Sequence, residues 1–233
     1  MNTTPAMLQA DFVAHTAICH DRLALNTRLK QVFDLREYHT KNRNEIEDFI
    51  RQRFAAAHGA NIGHFMPRLL SLCTKRGDLI AAFGLRAASN SPLFLETYLD
   101  QPIEGILQSR LGKIVQRKDI IEVGNLSALY PGAARWLIVA LTAKLHDEGY
   151  KWATFTGTSA LRNGLSRLGL RPVDLGLATL ERLPILDRAN WGSYYDNAPM
   201  VMAGDIDYGY RSLLQERNLT ELLRAGMNSV DAA

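Results

Sequence analysis

The sequence predicts an α/β domain whose mixed, partly parallel central sheet is flanked by helices. Two observations point there. From Asp119 to Gly169 apolar strand-like runs alternate with helical patterns, the order of a crossover between parallel strands. Earlier, two short apolar runs flank Lys75-Arg76-Gly77-Asp78, which is the signature of an antiparallel hairpin. Of the 233 residues 47% are hydrophobic and 22% charged, enough apolar material to bury a core and too much for a disordered chain.

The elements follow in order. The first forty residues carry little periodic signal, and 1–42 is expected to be a segment packing on the core, ending in a turn at Tyr38-His39-Thr40-Lys41-Asn42. Asn44 to Ala57 predicts a helix: Ile46, Phe49, Ile50, Phe54 and Ala57 recur at three-to-four spacing, acidic residues favour its first turn, and Gly59 ends it. Leu69 to Cys73 and Leu79 to Leu85 are the hairpin strands, and Leu93-Phe94-Leu95 predicts a further short strand. Pro102 to Leu111 predicts a helix opened by its proline. Asp119 to Leu126 predicts a strand, Ala133 to Glu148 a long helix capped by Gly149, Lys151 to Thr156 a strand, and Leu161 to Leu168 a short helix closed by Gly169. Leu177 to Leu183 and Pro199 to Ala203 are expected as additional C-terminal strands, and Arg211 to Arg224 as an amphipathic helix. The domain is thus expected over 43–208, with a helix or tail at 209–233.

Several classes are excluded or disfavoured at this point. The net charge is only +3 and no Lys/Arg run exceeds two, so no nucleic-acid footprint is visible. Met1 to Asp11 lacks a basic segment leading into an apolar core, and no apolar stretch approaches the roughly 20 residues that span a bilayer. Cys19 and Cys73 show no metal-like spacing and the six histidines no HxxxH, so no metal is expected; unpaired thiols and a cytoplasmic location are. Ser159 and Ser193 lack the elbow of a serine nucleophile.

The residues that can carry chemistry concentrate in the centre. In Ile121-Glu122-Val123-Gly124-Asn125-Leu126-Ser127, alternation sets Glu122 on the face opposite Ile121, where a desolvated carboxylate would accept a proton; a structural carboxylate bonded to nearby backbone explains it equally. Asn125 can bond a substrate carbonyl or shape the turn. Gly132-Ala133-Ala134-Arg135 opens a helix with small residues, which suits an anion and equally an ordinary tight turn. Glu96 and Glu104 flank Tyr98 and Asp100, and can line an acceptor pocket or a solvated edge. Arg86 can pair with a carboxylate or phosphate, or make a surface ion pair. Trp191, Tyr194 and Tyr195 can line an acyl tunnel or simply pack.

The central layout resembles the GNAT acetyltransferase superfamily. The family's pyrophosphate loop corresponds to Leu129-Tyr130-Pro131-Gly132-Ala133-Ala134, which keeps two small residues and lacks the leading Arg or Gln. Its later Tyr-bearing segment corresponds to Gly164-Leu165-Ser166-Arg167-Leu168-Gly169-Leu170, with Leu165 where the general-acid Tyr usually stands. Gly84-Leu85-Arg86 and Glu122-Val123-Gly124-Asn125 resemble segments of acyl-homoserine-lactone synthases, with Asn125 in place of their Arg, which argues against S-adenosylmethionine as acceptor. From about Glu45 to Asp207 the chain resembles the thermostable haemolysin family, on Phe94 to Glu104, Glu122 to Leu126, and Trp191-Gly192-Ser193-Tyr194-Tyr195 leading to Pro199 and Gly204-Asp205. The resemblance implies a GNAT-like fold.

The combined expectation is an N-acyltransferase moving an acyl group from an acyl thioester to an amine or amino acid by direct transfer. Catalysis is assigned to Glu122, Asn125 and Glu96. Leu126, Ser127 and Gly132, Ala133, Ala134, Arg135 hold the phosphopantetheine of acyl-CoA or an acyl carrier protein, a cosubstrate rather than a tightly bound cofactor. Arg86, Tyr98, Trp191 and Tyr194 form the substrate pocket. Partners are the small-molecule acceptor, an acyl carrier protein and a second copy in a homodimer. The rivals are a membrane-active haemolysin, for which Ser212 to Met227 is the one plausible segment, and a non-catalytic acyl-binding module.

Overall fold

The computed structural model describes residues 25, 27, 29–38 and 43–215. Seven strands form one sheet: β1 (Phe33–Tyr38), β2 (Arg68–Thr74), β3 (Leu79–Ala87), β4 (Ile120–Ala128), β5 (Trp152–Gly157), β6 (Val173–Leu177) and β7 (Met200–Asp205). Their spatial order is β1-β2-β3-β4-β5-β7-β6. β4 and β5 run parallel and the other neighbours antiparallel, so the sheet is mixed and partly parallel. The helices are α1 (Asn44–His58), α2 (Ile103–Leu111), α3 (Pro131–Asp147), α4 (Ser159–Arg167), α5 (Ile185–Arg188) and α6 (Ile206–Gln215).

Strand alternation sends side chains to two different cores. Leu70, Leu72, Phe83, Leu85, Ile121, Val123, Phe155 and Met202 pack with α3, α4 and α6 on one face. Ile120, Trp152, Val201 and Ala203 pack with α2 and the segments near 95 and 183 on the other, where α1 also contributes Ile46 and Ile50 against Leu69 and Ala82. β4 passes between these layers, and Glu122 shares the face of Ile120.

Three expectations are corrected. Leu93-Phe94-Leu95 is not a strand; Phe94–Tyr98 is a 3₁₀ turn. Its amides are taken by carboxylates instead of a ladder: Leu93 N–H donates to Glu96, and Phe94 and Leu95 N–H donate to Glu122. Leu177 to Leu183 is not a strand either. β6 ends at Leu177 and a 3₁₀ turn follows at Leu180–Arg182, where the three-residue leucine spacing matches the turn's period. β1 was not legible because it is an edge strand with Asp34, Arg36 and Glu37 among its six residues; its pairing with β2 brings residues before 43 into the sheet. The C-terminal helix starts at Ile206, and the remainder of the expected Arg211 to Arg224 segment lies outside the described residues.

One packing detail shapes the site. Gly84 and Gly124 face each other across the β3–β4 ladder, and the Met66 side chain lies over both. A Cβ on Gly84 would come within 2.4 Å of Met66 Cβ, which is tied to the backbone, whereas one on Gly124 would meet the flexible Met66 methyl. Gly84→Ala is therefore expected to cost about 1–3 kcal/mol in urea denaturation and Gly124→Ala distinctly less. Equal losses would contradict this packing.

Candidate active site

β4 and β5 share ladder pairs only from Ile120↔Trp152 to Val123↔Phe155. Beyond Val123, β4 continues to Ala128 paired to β3 alone, and β5 continues to Gly157 paired to β7. The cause is a bulge: Ser127 faces Ala82 and Gly124 faces Gly84, so β4 holds one residue more than β3 over this stretch. Asn125 takes the left-handed conformation there (φ 52°), which Asn tolerates better than most residues. The strands part, and a cleft of about 860 Å³ opens between them, within the size range of small-molecule sites.

The two ends of the cleft differ in chemistry. One is flanked by the starts of α3 and α4, with Tyr130, Pro131, Ala134, Arg135 and Thr158 on its wall; Arg167, at the last turn of α4, also lines the cleft. Each helix start leaves first-turn N–H groups without intrahelical acceptors. Arg135 and Arg167 are exposed. The other end is lined by Arg53, Phe54 and His58 of α1, by Phe94 and Tyr98, and by Trp191 and Tyr194, with Glu122 and Arg86 beside them. Trp191 stacks on Phe94 with centroids 6.0 Å apart and lies 5.4 Å from Tyr194, which meets His58 edge-on at 5.2 Å. Burial keeps the His58 imidazole below its ordinary pKa and pushes the Tyr194 phenol up. The Tyr98 and Tyr195 hydroxyls are hydrogen-bonded to each other, and burial, foremost, raises the Tyr195 phenol to about 12.

Glu122 is 2% exposed, and its two oxygens accept from the Phe94 and Leu95 amides at 2.8 and 2.9 Å. Desolvation still pushes its carboxyl above the usual range; those two bonds and the nearby Arg86 guanidinium pull the other way. Each oxygen retains a further lone pair for a water or an amine. Among the described residues Glu122 is the one carboxylate on a wall that also holds Arg53, Arg86, Arg135 and Arg167.

The structure brings Glu122, Asn125, Leu126, Ser127, Ala134, Arg135, Arg86, Tyr98, Trp191 and Tyr194 to this one cleft. Glu96, Gly132 and Ala133 do not line it. Glu96 is bonded by the Leu93 and Ile103 amides and by Arg117 at 2.7 and 2.8 Å, and Arg117, foremost, holds its carboxyl at about 2. A carboxylate so held is a poor base, and its role is to fix the turn that carries Phe94 and Tyr98. Ala133 is fully buried in the core, and Gly132 is kept small by the Tyr130 ring, which a Cβ would meet at 3.2 Å. The Asn125 amide is also engaged. It accepts from Met66 N–H at 2.9 Å and donates to the His64 carbonyl at 3.3 Å, pinning residues 64–66 against the bulge. Leu165, the position of the usual family Tyr, is buried in the core beneath α4.

Sequence reasoning missed Arg53, His58, Met66, Thr158 and Arg167 as cleft residues. Phe54 and Ala57 continue the spacing of Ile46 and Ile50, so they read as core, but α1 outruns the sheet and its last turns border the cleft instead.

The Glu96–Arg117 cluster carries a pH prediction. A carboxyl at about 2 in the fold and 4.5 when unfolded contributes stability that is complete above about pH 4.5 and lost as pH falls toward 2. Allowing for solvent around the half-buried Arg117, the contribution is about 2 kcal/mol. Urea denaturation between pH 6 and 2.5 should show this loss, and Glu96→Gln should flatten it; an unaltered acid limb in the variant would remove Glu96 from the account.

Solved structures share this architecture. The AHL synthase LasI superposes with a TM-score of 0.52 at 10% sequence identity, covering 79% of this chain and 94% of that one. FeeM, an N-acyl amino acid synthase from uncultured soil microbes, gives 0.51 at 15% identity, over 78% and 95%. TofI in an apo form gives 0.51 at 11%, over 78% and 95%. At such identities the likeness is one of fold alone, the GNAT-like fold expected from the sequence. No curated protein matches the sequence. The family is identified by its own pattern, described as Thermostable hemolysin, which matches residues 36–210: the chain belongs to that family. Among the described residues no helix is long and apolar enough to cross a membrane, and no cluster of three His, Cys, Asp or Glu could hold a metal ion.

Proposed function

We propose that the protein is an N-acyltransferase that passes an acyl group from an acyl thioester directly to the nitrogen of an amine or amino acid. The observation that carries this reading is the polarity of the cleft along its length. At one end lie helix starts and the exposed Arg135, suited to the phosphates of acyl-CoA or of a carrier protein's phosphopantetheine. The middle is the unladdered edge of β4, from Gly124 to Ala128, whose main chain can bond the amides of a pantetheine arm and polarise the thioester carbonyl. At the other end a buried carboxylate stands among aromatic rings.

The acceptor nitrogen attacks the thioester carbonyl carbon, the C–N bond forms, and the C–S bond breaks. An acceptor that arrives as an ammonium sheds two protons. Glu122 takes the first, directly or through a water, and returns it to solvent; the second ends on the departing thiolate. Asn125 and Glu96 have no part in this scheme beyond positioning, because their polar atoms are already bonded. Arg135 and Ala134 serve the phosphate end, while Arg86, Tyr98, Trp191 and Tyr194 serve the acceptor end.

One observation favours a second reading, acyl binding without transfer: both Glu122 oxygens accept main-chain amides, as a purely structural carboxylate would. Thiol release separates the two. Short and long acyl-CoAs and acyl carrier proteins are offered with a pool of amines and amino acids. Release that depends on an acceptor is the expected result. Silence with every donor, while the donors still bind, would leave the binding module standing; silence together with leakage from lipid vesicles would favour a membrane-active protein.

A further inference from the structure

Many arginines outside the cleft are paired. Arg43, Arg51, Arg68, Arg117 and Arg182 each make an ion pair with a carboxylate. The four on the cleft wall, Arg53, Arg86, Arg135 and Arg167, do not, among the described residues, and Arg53 and Arg86 are the two at its aromatic end. Arg53 projects from α1 and has a buried Nε with no hydrogen-bond acceptor, a condition that typically costs a folded protein stability unless a ligand supplies the acceptor. Arg86 donates only a long bond, 3.4 Å, to the Pro92 carbonyl. It stands directly opposite Glu122 in the β3–β4 register, and cross-strand partners carry their side chains on the same face about 5 Å apart. A guanidinium and a carboxylate thus sit side by side in the cleft without an ion pair closed between them.

We propose that Arg53 and Arg86 form a clamp for the carboxylate of the acceptor, which makes the acceptor an α-amino acid rather than a simple amine. This rests on the transfer reading above and names its acceptor. An α-amino acid carries its ammonium and carboxylate on one carbon, and the neighbouring Glu122 and Arg86 present the complementary charges at matching separation. A simple amine satisfies Glu122 and leaves both guanidiniums without an anion. The donor's phosphates fit these arginines less well: they have Arg135 and two helix starts at the other end, and Glu122 beside Arg86 repels a dianion that brings no cation of its own. The rings of Phe54, Phe94 and Trp191 then face the amino acid's side chain, which favours an apolar one.

The test compares L-phenylalanine with L-phenylalaninamide, and L-leucine with L-leucinamide, as acceptors in the thiol-release assay and as ligands in equilibrium binding. The amides keep the amine and the side chain and lack the carboxylate. Their amines are also less basic, so a higher fraction is free to react, and any preference for the acids runs against that bias. The acids are expected to exceed the amides at least 100-fold in kcat/KM. Arg86→Gln and Arg53→Gln should each shrink the ratio at least tenfold, chiefly through KM for the acid. Arg86→Lys should recover part of it, since a single ammonium keeps the charge and loses the bidentate fork. Thermal melts identify any variant that fails to fold. Acids and amides used equally, or variants losing both equally, would overturn the clamp. If no acceptor supports release but the acids bind more tightly than the amides in an arginine-dependent way, the clamp stands and the transfer reading falls. If the acids neither react nor bind preferentially, the clamp falls.

Discussion

Glu122→Gln is expected to lower kcat for acceptor-dependent thiol release by about 10²–10⁴-fold, the usual contribution of a positioned base. The substitution also has a structural consequence that must be separated from the chemical one. Both Glu122 oxygens accept main-chain N–H groups, and an amide side chain can offer one oxygen only, so its NH₂ faces either the Phe94 or the Leu95 N–H. That unsatisfied contact costs about 1–3 kcal/mol, visible in urea denaturation. The rate must therefore be measured where the variant is fully folded. A pH profile separates the roles further. Transfer needs the ionised carboxyl, and burial has moved that group upward from its ordinary 4.5, so the wild-type rate should fall as pH drops through the raised value. The variant should lose that limb. A variant that is destabilised yet keeps its rate and its pH profile would assign Glu122 to structure and return the acyl-binding reading.

Gly192→Ala is expected to be the most damaging single methyl addition in the described chain. Gly192 has φ 49° and ψ −130°, a conformation open essentially to glycine. A Cβ there would lie 2.0 Å from the His58 carbonyl oxygen and 2.9 Å from the Gly59 carbonyl carbon, both main-chain atoms at the end of α1. The next residue ties the same place, since Ser193 N–H and Oγ donate to that His58 oxygen at 2.9 and 3.2 Å. The aromatic segment cannot stay docked if the methyl is added. A loss of about 2–4 kcal/mol follows, or roughly 4–16 °C in Tm for a chain of this size, with a weakened near-ultraviolet signal from Trp191 and Tyr194. Gly63→Ala is the control, because a Cβ at Gly63 meets nothing within 4 Å. A Gly192→Ala protein that melts with the control would mean that the segment docks on α1 differently.

The parts of the site that were legible are those where local rules and tertiary role agree. Glu122 announced itself because a carboxylate between Ile121 and Val123 in a strand is costly unless something uses it, and the structure finds it buried and bonded. The aromatic run at Trp191 to Tyr195 was legible as a cluster in the same way. Glu96 was misread because nothing near it in sequence announces Arg117, twenty-one residues on, which claims both of its oxygens. Asn125 was legible as special and not as to why: its left-handed backbone follows from a bulge that only the β3 partner defines, and its amide is taken by residues about sixty positions earlier. Gly132 and Ala133 match a phosphate loop by composition, yet one is a seat for the Tyr130 ring and the other a core residue.

By itself the sequence determined the class of fold and most of its elements, because helix and strand periodicities and their end signals act over a few residues and are written where they act. It also determined which residue types had chemistry to offer. Tertiary structure alone decided that β4 and β5 part after Val123 and Phe155, that α1 lends Arg53 and His58 to the gap, and that Glu122 and Arg86 stand abreast across a ladder. Those facts depend on register and on approaches between segments far apart in the chain, and a free energy set by such contacts has no local signature.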